Sequence, residues 1–330
     1  MTGLLELVGI DAVRDAAQVL RGIAIRTPLV PYGPPGDRIF LKAESLQPIG
    51  AFKIRGAYNA VAGLTAMERE RGVITYSSGN HAQGVARAAR LLGVPAVIVM
   101  PSDAPGIKRD RVAADGAELV IVGPASDERR ERAESIAAER GLAIIPPYDD
   151  DRIIAGQGTV GLEIADDLPD VAAVLVPIGG GGLASGVAVA IKALAPRAKV
   201  IGVEPELAAD ARESLMRGEI VRWSAEQVSR TIADGTRTQS LGQRTFAHLR
   251  AHLDGVVTVS EVEIAAAVRL AAEGSRLVAE PSGALPLAAI AFRADELGLG
   301  ALAGPVVGVI SGGNVDPAAY RAYLEAPLPD

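Results

Sequence analysis

A single lysine lies between apolar residues at the point where a loop is expected to become a helix. Pro48 and Gly50 mark the loop, and the apolar residues after Lys53 recur at the spacing of one helix face. Near a helix N-terminus, the helix dipole and apolar surroundings both disfavour an ammonium ion. The pKa of Lys53 is therefore expected to fall, which frees its amine for carbonyl chemistry. This stretch alone fits a solvated surface lysine equally well.

Three predicted strands end in turns rich in glycine and serine, namely SSGN at 77–80, GGGGL at 179–183 and SGGN at 311–314. In open parallel sheets, ligands bind outside the carboxyl ends of the strands, so the three turns can border one crevice. Consecutive backbone N–H groups of the four glycines, at the start of a helix, form an anion cradle suited to phosphate. The pattern matches neither GxGxxG nor the P-loop, which disfavours a dinucleotide or P-loop site. A merely tight turn is the structural alternative.

Alternating strands and helices predict an α/β protein. The run from Val73 to Ile145 alternates short apolar strands with helices and is long enough for a small parallel sheet with its own helices. A second α/β series follows it. We therefore predict two open, twisted parallel-sheet domains, the smaller of which (71–149) is inserted in the larger (1–70 and 150–330).

The composition restricts the kinds of site and partner. The chain has 330 residues, of which 49% are hydrophobic, with no cysteine, three histidines and a net charge of −7. Disulfides, thiolate nucleophiles and iron–sulfur clusters are excluded, and a His-rich zinc site is disfavoured. The sequence has no basic block and no long uninterrupted apolar run, and acids occur near its N-terminus. We expect a cytoplasmic protein with a small-molecule partner and with neither nucleic acid nor membrane as partner.

A phosphate cradle, a candidate Schiff-base lysine and a serine suited to bond a ring nitrogen together describe a site for pyridoxal phosphate. Four segments, in order and in register over nearly the whole chain, resemble the signature segments of the serine/threonine dehydratase and serine racemase family. These segments are Gly50–Gly56, Ser77–His81, Gly179–Leu183 and Ser311–Asn314. The resemblance implies a fold type II pyridoxal-phosphate enzyme, with a tryptophan synthase β-like fold.

The resemblance also implies how the cofactor is held. Lys53 would carry the cofactor as a Schiff base and later shuttle the α-proton of the substrate. Phe52 and Asn80 would flank the ring, with Asn80 bonding its phenolic oxygen, while Ser311 would bond the pyridine nitrogen. The phosphate would be held by the backbone of Gly179, Gly180, Gly181, Gly182 and Leu183.

Substrate contacts follow from the same resemblance. The α-carboxylate would be held by the turn residues Ser77, Ser78, Asn80 and His81. Ser78 also matches the opposite-face acid/base of the racemases, although a turn-forming serine that only binds carboxylate is an equally good interpretation. Arg130 matches an arginine that reaches the substrate side chain in the hydroxyaspartate dehydratase-like branch, where a guanidinium can grip a β-carboxylate with two hydrogen bonds. The alternative is a solvated surface arginine.

An acidic loop after a predicted strand resembles the divalent-cation loop of the family. Glu204 and Asp210 would supply carboxylates and Ala208 its carbonyl. Ligands that are all oxygen favour Mg²⁺ or Ca²⁺ over zinc. The alternative is an ordinary solvated acidic loop.

The expected activity is that of an ammonia-lyase. Such an enzyme converts a 3-hydroxy amino acid, here L-serine, L-threonine or 3-hydroxyaspartate, to an oxo acid and ammonia by α,β-elimination. The second hypothesis is a serine or aspartate racemase that uses Lys53 and Ser78 on opposite faces of the substrate. The third is a non-catalytic amino-acid sensor that retains the fold. We expect a homodimer.

Overall fold

The computed structural model describes residues 6–34, 36–77, 79–102, 104, 106–123 and 126–329, without the side chains of Ile107, Ser126 and Asp127. Strands and helices alternate along most of this part of the chain. Its strands form two separate sheets, one of six strands and one of four. The predicted α/β class with two parallel-sheet units is confirmed.

The larger sheet is parallel except at one edge. Its strands are β1 (Leu29–Tyr32), β2 (Ile39–Ala43), β7 (Ala173–Pro177), β8 (Lys199–Pro205), β9 (Gly255–Val259) and β10 (Val306–Ile310). They lie in the order β1-β2-β10-β7-β8-β9, and β1 alone runs antiparallel to its neighbour. Every residue of β7 and β10 is buried, because helices cover both faces of a parallel sheet.

The smaller sheet is parallel throughout. Its strands are β3 (Val73–Tyr76), β4 (Ala96–Pro101), β5 (Glu118–Val122) and β6 (Ala143–Ile144), in the order β5-β4-β3-β6. All four lie between residues 71 and 149. The domain boundaries themselves stay a prediction, and one apolar cluster includes Ala57 and Val61, from before that range, together with Ile98 of β4.

The helices fill the connections between strands. They are α1 (Ile10–Val19), α2 (Lys53–Ala62), α3 (Ala66–Arg71), α4 (Asn80–Leu92), α5 (Gly106–Ala114), α6 (Ser126–Arg140), α7 (Asp151–Asp167), α8 (Gly182–Leu194), α9 (Asp210–Arg217), α10 (Ala225–Val228), α11 (Gln243–His252), α12 (Glu261–Ser275), α13 (Pro281–Phe292), α14 (Ala294–Leu297) and α15 (Pro317–Leu324). Single 3₁₀ turns occur at Glu44–Leu46, Asp234–Thr236 and Leu299–Ala301.

Helix α2 crosses α7 at very short range. A Cβ on Gly156 of α7 would lie 2.7 Å from the Cα of Gly56, and a Cβ on Gly56 would lie 2.9 Å from the carbonyl oxygen of Ile153. Only glycine at both positions lets the two backbones approach this closely. The crossing fixes the first turn of α2, and with it the position of Lys53.

Several elements differ from the sequence-based expectation. Strands β1 and β9 and helix α15 were not predicted. Strand β1 contains Pro31 and pairs only at the sheet edge, where proline is tolerated, so its strand signal is weak.

Candidate active site

The residues that follow β3, β7 and β10 line one cavity of about 300 Å³. Parallel strands of the larger sheet end at the same edge, and the smaller sheet presents the end of β3 to that edge across the cavity. Most residues of the four signature segments that carry a predicted cofactor or substrate role lie along its wall. These lining residues are Phe52, Lys53, Ser77, Asn80, His81, Gly179, Gly180, Gly181, Gly182, Leu183 and Ser311.

Lys53 is the first residue of α2, as the loop-to-helix pattern predicts. Its Nζ donates a hydrogen bond to the carbonyl oxygen of Pro147 at 2.7 Å and lies 5.2 Å from the centre of the Phe52 ring. Burial lowers the pKa of Lys53 to about 8. About a tenth of the amine is therefore uncharged at pH 7, far more than at the ordinary pKa of 10.5, and the uncharged form is the one that carbonyl chemistry requires.

The tetraglycine turn leads directly into α8, whose first N–H groups have no acceptor within the helix. Gly181 has φ +90°, and a Cβ on Gly180 would lie 2.1 Å from the ring of Tyr148, so both positions require glycine. The Thr238 hydroxyl lines the same wall and is buried without a hydrogen-bond partner. Backbone donors at a helix N-terminus beside an unsatisfied hydroxyl fit a phosphate group.

Ser311 follows β10 and is held against the lysine segment. Its backbone carbonyl accepts a hydrogen bond from the N–H of Phe52 at 3.0 Å, and the next residue, Gly312, forms a bridge with Ala51. Ser311 is only 4% exposed and lines the cavity. Hydrogen bonds therefore join the Ser311 turn, which carries the predicted ring-nitrogen partner, to the segment that carries Lys53.

Asn80 begins α4, and two neighbours fix its side-chain amide. Its Nδ2 donates to Oε1 of Glu280 at 2.6 Å, and its Oδ1 accepts from Nδ2 of Asn314 at 2.8 Å. An amide nitrogen carries two hydrogens, so one remains for a bond to a cofactor oxygen. The predicted role of Asn80 fits this geometry.

The SSGN turn is described only in part, because Ser78 lies outside the described residues. Ser77 lines the cavity, and its Oγ accepts a hydrogen bond from the N–H of Gly79 at 3.3 Å. The Nε2 of His81 lies 3.0 Å from the carbonyl oxygen of Ile145, and burial, followed by the charge of Lys53, lowers the pKa of His81 to about 3. The neutral ring donates its one N–H to Ile145. Only the backbone N–H of His81 is then left to donate to a substrate carboxylate.

Arg130 lies on α6 at the rim of the cavity. Its side chain is 60% exposed, and its Nε donates to Glu134 at 2.7 Å. A surface pair of this kind contributes only about 0.3–0.5 kcal/mol, so the guanidinium can exchange Glu134 for another carboxylate at little cost.

The predicted cation loop lies outside the cavity, at the start of α9. The carboxylate of Glu204 accepts the N–H groups of Ala211 at 3.0 Å and Arg212 at 2.7 Å, while Oδ2 of Asp210 is buried without a hydrogen-bond partner. Burial and the nearby Asp210 raise the pKa of Glu204, and burial raises that of Asp210 to about 7. Among the described residues, no group of three or more His, Cys, Asp or Glu side chains could hold a metal, so carbonyl oxygens or water would have to complete a site here.

Sequence reasoning overlooked several cavity residues, of which Glu280 is the most notable. It lies just before α13, in the segment Ala279–Pro281, far along the chain from its partner Asn80. A proline at the first position is a common start of a helix, so Pro281 marks the segment as a helix start and no signal in the sequence sets Glu280 apart.

The comparisons with known proteins agree with this site. The family model described as "Pyridoxal-phosphate dependent enzyme" matches residues 20–312, and the chain belongs to this family. The chain is 42% identical to L-threo-3-hydroxyaspartate ammonia-lyase of Saccharomyces cerevisiae, over 94% of this chain and 95% of the relative. It is 43% identical to L-threonine ammonia-lyase of Thermotoga maritima, over 94% of this chain and 76% of the relative. The structure of maize serine racemase superposes with a TM-score of 0.90 at 35% identity, covering 97% of this chain and 98% of that one.

The described residues contain no helix that is both long enough and apolar enough to cross a membrane.

Proposed function

We propose that the protein is a pyridoxal-phosphate-dependent ammonia-lyase that converts a 3-hydroxy amino acid to an oxo acid and ammonia. The observation that carries the proposal is the amine of Lys53, which lies at the start of α2 in the wall of a cavity shared with the tetraglycine turn and Ser311. The names of the yeast and Thermotoga relatives support the same reaction class. The substrate candidates are L-serine, L-threonine and 3-hydroxyaspartate.

The cavity fits the cofactor in three places. Lys53 would hold its aldehyde carbon, the backbone N–H groups of Gly179–Leu183 its phosphate, and Ser311 its ring nitrogen. When bound, pyridoxal phosphate withdraws electrons from the α-carbon of a linked amino acid, which acidifies the α-proton and helps a β-hydroxyl to leave.

The protein's own groups would handle the protons. The amine of Lys53 has a pKa of about 8, so Nζ can take up a proton from the α-carbon and release it again near neutral pH. The neutral imidazole of His81, bound to the Ile145 carbonyl, keeps a second positive charge away from that amine.

A β-carboxylate of the substrate would bind at Arg130. The guanidinium lies at the cavity rim and is paired with the exposed Glu134. This arrangement favours 3-hydroxyaspartate over L-serine and L-threonine, which lack a second carboxylate.

The test is an oxo-acid and ammonia assay with the three 3-hydroxy amino acids, applied to the wild type, Arg130→Ala and Arg132→Ala. Arg132 is an exposed arginine on the same helix and serves as the matched control. Loss of a charged hydrogen bond should lower kcat/KM of Arg130→Ala for 3-hydroxyaspartate by about 10- to 100-fold, with little change for L-serine. A wild type that forms no oxo acid from any of the three would refute the lyase proposal. An unchanged substrate ratio would refute the role of Arg130.

A racemase is the second candidate, because the maize neighbour of nearly identical length is a serine racemase. Lys53 and Ser78 would then act on opposite faces of the α-carbon. Ser78→Ala should abolish racemisation of L-serine, followed by chiral chromatography, and should reduce elimination much less. Equal losses of both activities would remove the acid/base role of Ser78.

We also propose that Glu204, Asp210 and the carbonyl of Ala208 bind Mg²⁺ or Ca²⁺. The unpartnered buried Oδ2 of Asp210 supports this, because a cation would satisfy it. Each ion should raise the melting temperature of EDTA-treated wild type but not of Asp210→Asn. Equal melting temperatures of the wild type with and without ion would contradict the proposal.

We also propose that the protein is a homodimer and lies in the cytoplasm. A homodimer should elute in light-scattering chromatography with twice the chain mass of 33.9 kDa. Cell fractionation should recover the protein in the cytoplasm, and recovery in another compartment would contradict that expectation.

A further inference from the structure

Glu280 is a buried carboxyl in the cavity wall that belongs to none of the four signature segments. Its side chain is 3% exposed. Its backbone N–H donates to the carbonyl of Gly312 at 3.0 Å, which ties it to the turn that carries Ser311. A Cβ on Gly312 would lie 2.2 Å from Oε1 of Glu280, so the carboxyl packs directly against that turn.

The carboxyl of Glu280 also fixes the orientation of the Asn80 side-chain amide. Oε1 of Glu280 accepts from Nδ2 of Asn80 at 2.6 Å, while Nδ2 of Asn314 donates to the Asn80 oxygen at 2.8 Å. An ionised carboxylate can only accept, so the amide nitrogen of Asn80 must face Glu280. Glu280 thus contacts both Asn80 and the Ser311 turn, the two parts of the wall predicted to bond the phenolic oxygen and the nitrogen of a bound pyridine ring.

We propose that Glu280 is a positioning residue for bound pyridoxal phosphate. Its carboxylate orients the Asn80 amide toward the cofactor and places a titratable charge beside the ring. The inference rests on cofactor binding in this cavity, as described under the proposed function.

The surroundings of Glu280 place its ionisation near neutral pH, where a pH titration can observe it. Burial and then the negative charge of Asp234 raise the pKa of Glu280 to about 7, against the opposing effects of Lys108 and of the Asn80 hydrogen bond. Asp234 and Lys108 face it from the 3₁₀ turn Asp234–Thr236 and from α5, and they form an ion pair at 2.8 Å. Lys53 lines the same cavity. Near neutral pH, Glu280 therefore passes between an ionised acceptor and a neutral acid beside the cofactor.

The test is a pH titration of the visible spectrum of the holoenzyme, with the wild type and Glu280→Gln. Glutamine has the same shape and can still accept the Asn80 hydrogen bond, but it does not ionise. The wild type should show a spectral transition centred near pH 7. Glu280→Gln should keep its visible band and lose this transition. The same transition in Glu280→Gln would overturn the proposal.

Two neighbour variants sharpen the test without changing Glu280. Asp234→Asn removes a negative charge and leaves Lys108 unpaired, so the midpoint should move to lower pH. Lys108→Met removes the positive charge and leaves Asp234 unpaired, so the midpoint should move to higher pH. A purely structural role for Glu280 would not produce opposite shifts. Midpoints that stay fixed or move in the same direction would overturn the proposal, even if Glu280→Gln fails to fold.

The outcomes separate this inference from the proposed activity. A wild type with no visible band refutes cofactor binding and the inference together. A wild type that shows the transition but makes no oxo acid refutes the lyase proposal alone. A wild type that makes oxo acid but shows no transition near neutral pH refutes the inference alone.

Discussion

Two sets of buried charges lie close to the start of α2, and they differ in how they are paired. Behind α2, Arg55 forms two hydrogen bonds with Glu44, at 2.7 and 2.8 Å, and two with Glu163, at 2.6 and 3.0 Å. Lys42 also bonds Glu163, at 2.6 Å. In the cavity, only two positions away along the helix, Lys53 donates to the neutral carbonyl of Pro147.

The pairing decides what each set can do. Burial opposes the charge of Arg55, but Glu44 and Glu163 outweigh it and raise the pKa of Arg55, while Arg55 lowers that of Glu44 against the effect of burial. Both side chains stay ionised, and their bonds hold α2 to the preceding loop and to α7. Burial without an opposite charge lowers the pKa of Lys53 to about 8. The paired set is structural, whereas the cavity lysine can exchange protons near neutral pH.

The strongest way to test the comparison is to remove the cavity amine. Lys53→Ala should lose the visible band of bound cofactor, and the oxo-acid assay should show activity reduced by at least about a thousandfold, because the base and the covalent link are both lost. Its urea unfolding midpoint should not fall far below that of the wild type. A large loss of stability would place Lys53 in the structural set.

In the paired set behind α2, a substitution is expected to lower stability. Arg55→Met leaves Glu44 buried without its hydrogen-bonded cation and leaves Glu163 with Lys42 alone, so urea denaturation should show a loss of about 3–5 kcal/mol in the free energy of unfolding. A loss below about 1 kcal/mol would show that the buried network contributes little net stability.

The lowered pKa of Lys53 also predicts that the stability of the cofactor-free protein depends on pH. Its folded-state pKa of about 8 lies below the ordinary value of 10.5, so between these values the unfolded chain binds a proton that the folded chain does not. The wild type should gain stability as pH rises through this window. Lys53→Met should be more stable than the wild type below pH 8, by about 3 kcal/mol at most, and this advantage should disappear by pH 10.5. A constant difference in unfolding free energy at all pH values would contradict the lowered pKa.

The smallest effect is expected at an exposed pair. Glu134→Ala removes the partner of Arg130, and both side chains are about half exposed or more, at 48% and 60%. Thermal melting should show a change below about 0.5 kcal/mol in stability. A larger loss would mean that this surface pair behaves like the buried network around Arg55.

Local pattern was sufficient for most of the fold. Buried parallel strands such as β3 and β10 consist mostly of apolar residues, and such runs predict central strands. The strands that were missed lie at the two edges of the larger sheet. Strand β1 contains Pro31 and has no fully buried residue, so its strand signal is weak, whereas β9 contains three valines and was missed although its pattern is apolar.

The candidate site was predictable to the extent that its residues lie in compact motifs. Lys53, Asn80, the tetraglycine turn and Ser311 each belong to such a motif, and the structure brings them to one cavity. Glu280 does not. It became noticeable only through what lies beside it, the amide of Asn80, which is 200 residues away along the chain.

The sequence by itself determined the α/β class, the order of the strands along the chain and the chemical types available to the site. These properties depend on local periodicity, on turns that require glycine and on which side chains are present. Tertiary structure decided which charges are paired. Arg55 and Lys53 are two residues apart, but successive positions of a helix face different surroundings, so one meets two carboxylates and the other an open cavity. Burial and partners, which sequence spacing does not specify, make one a structural cation and the other a titratable amine.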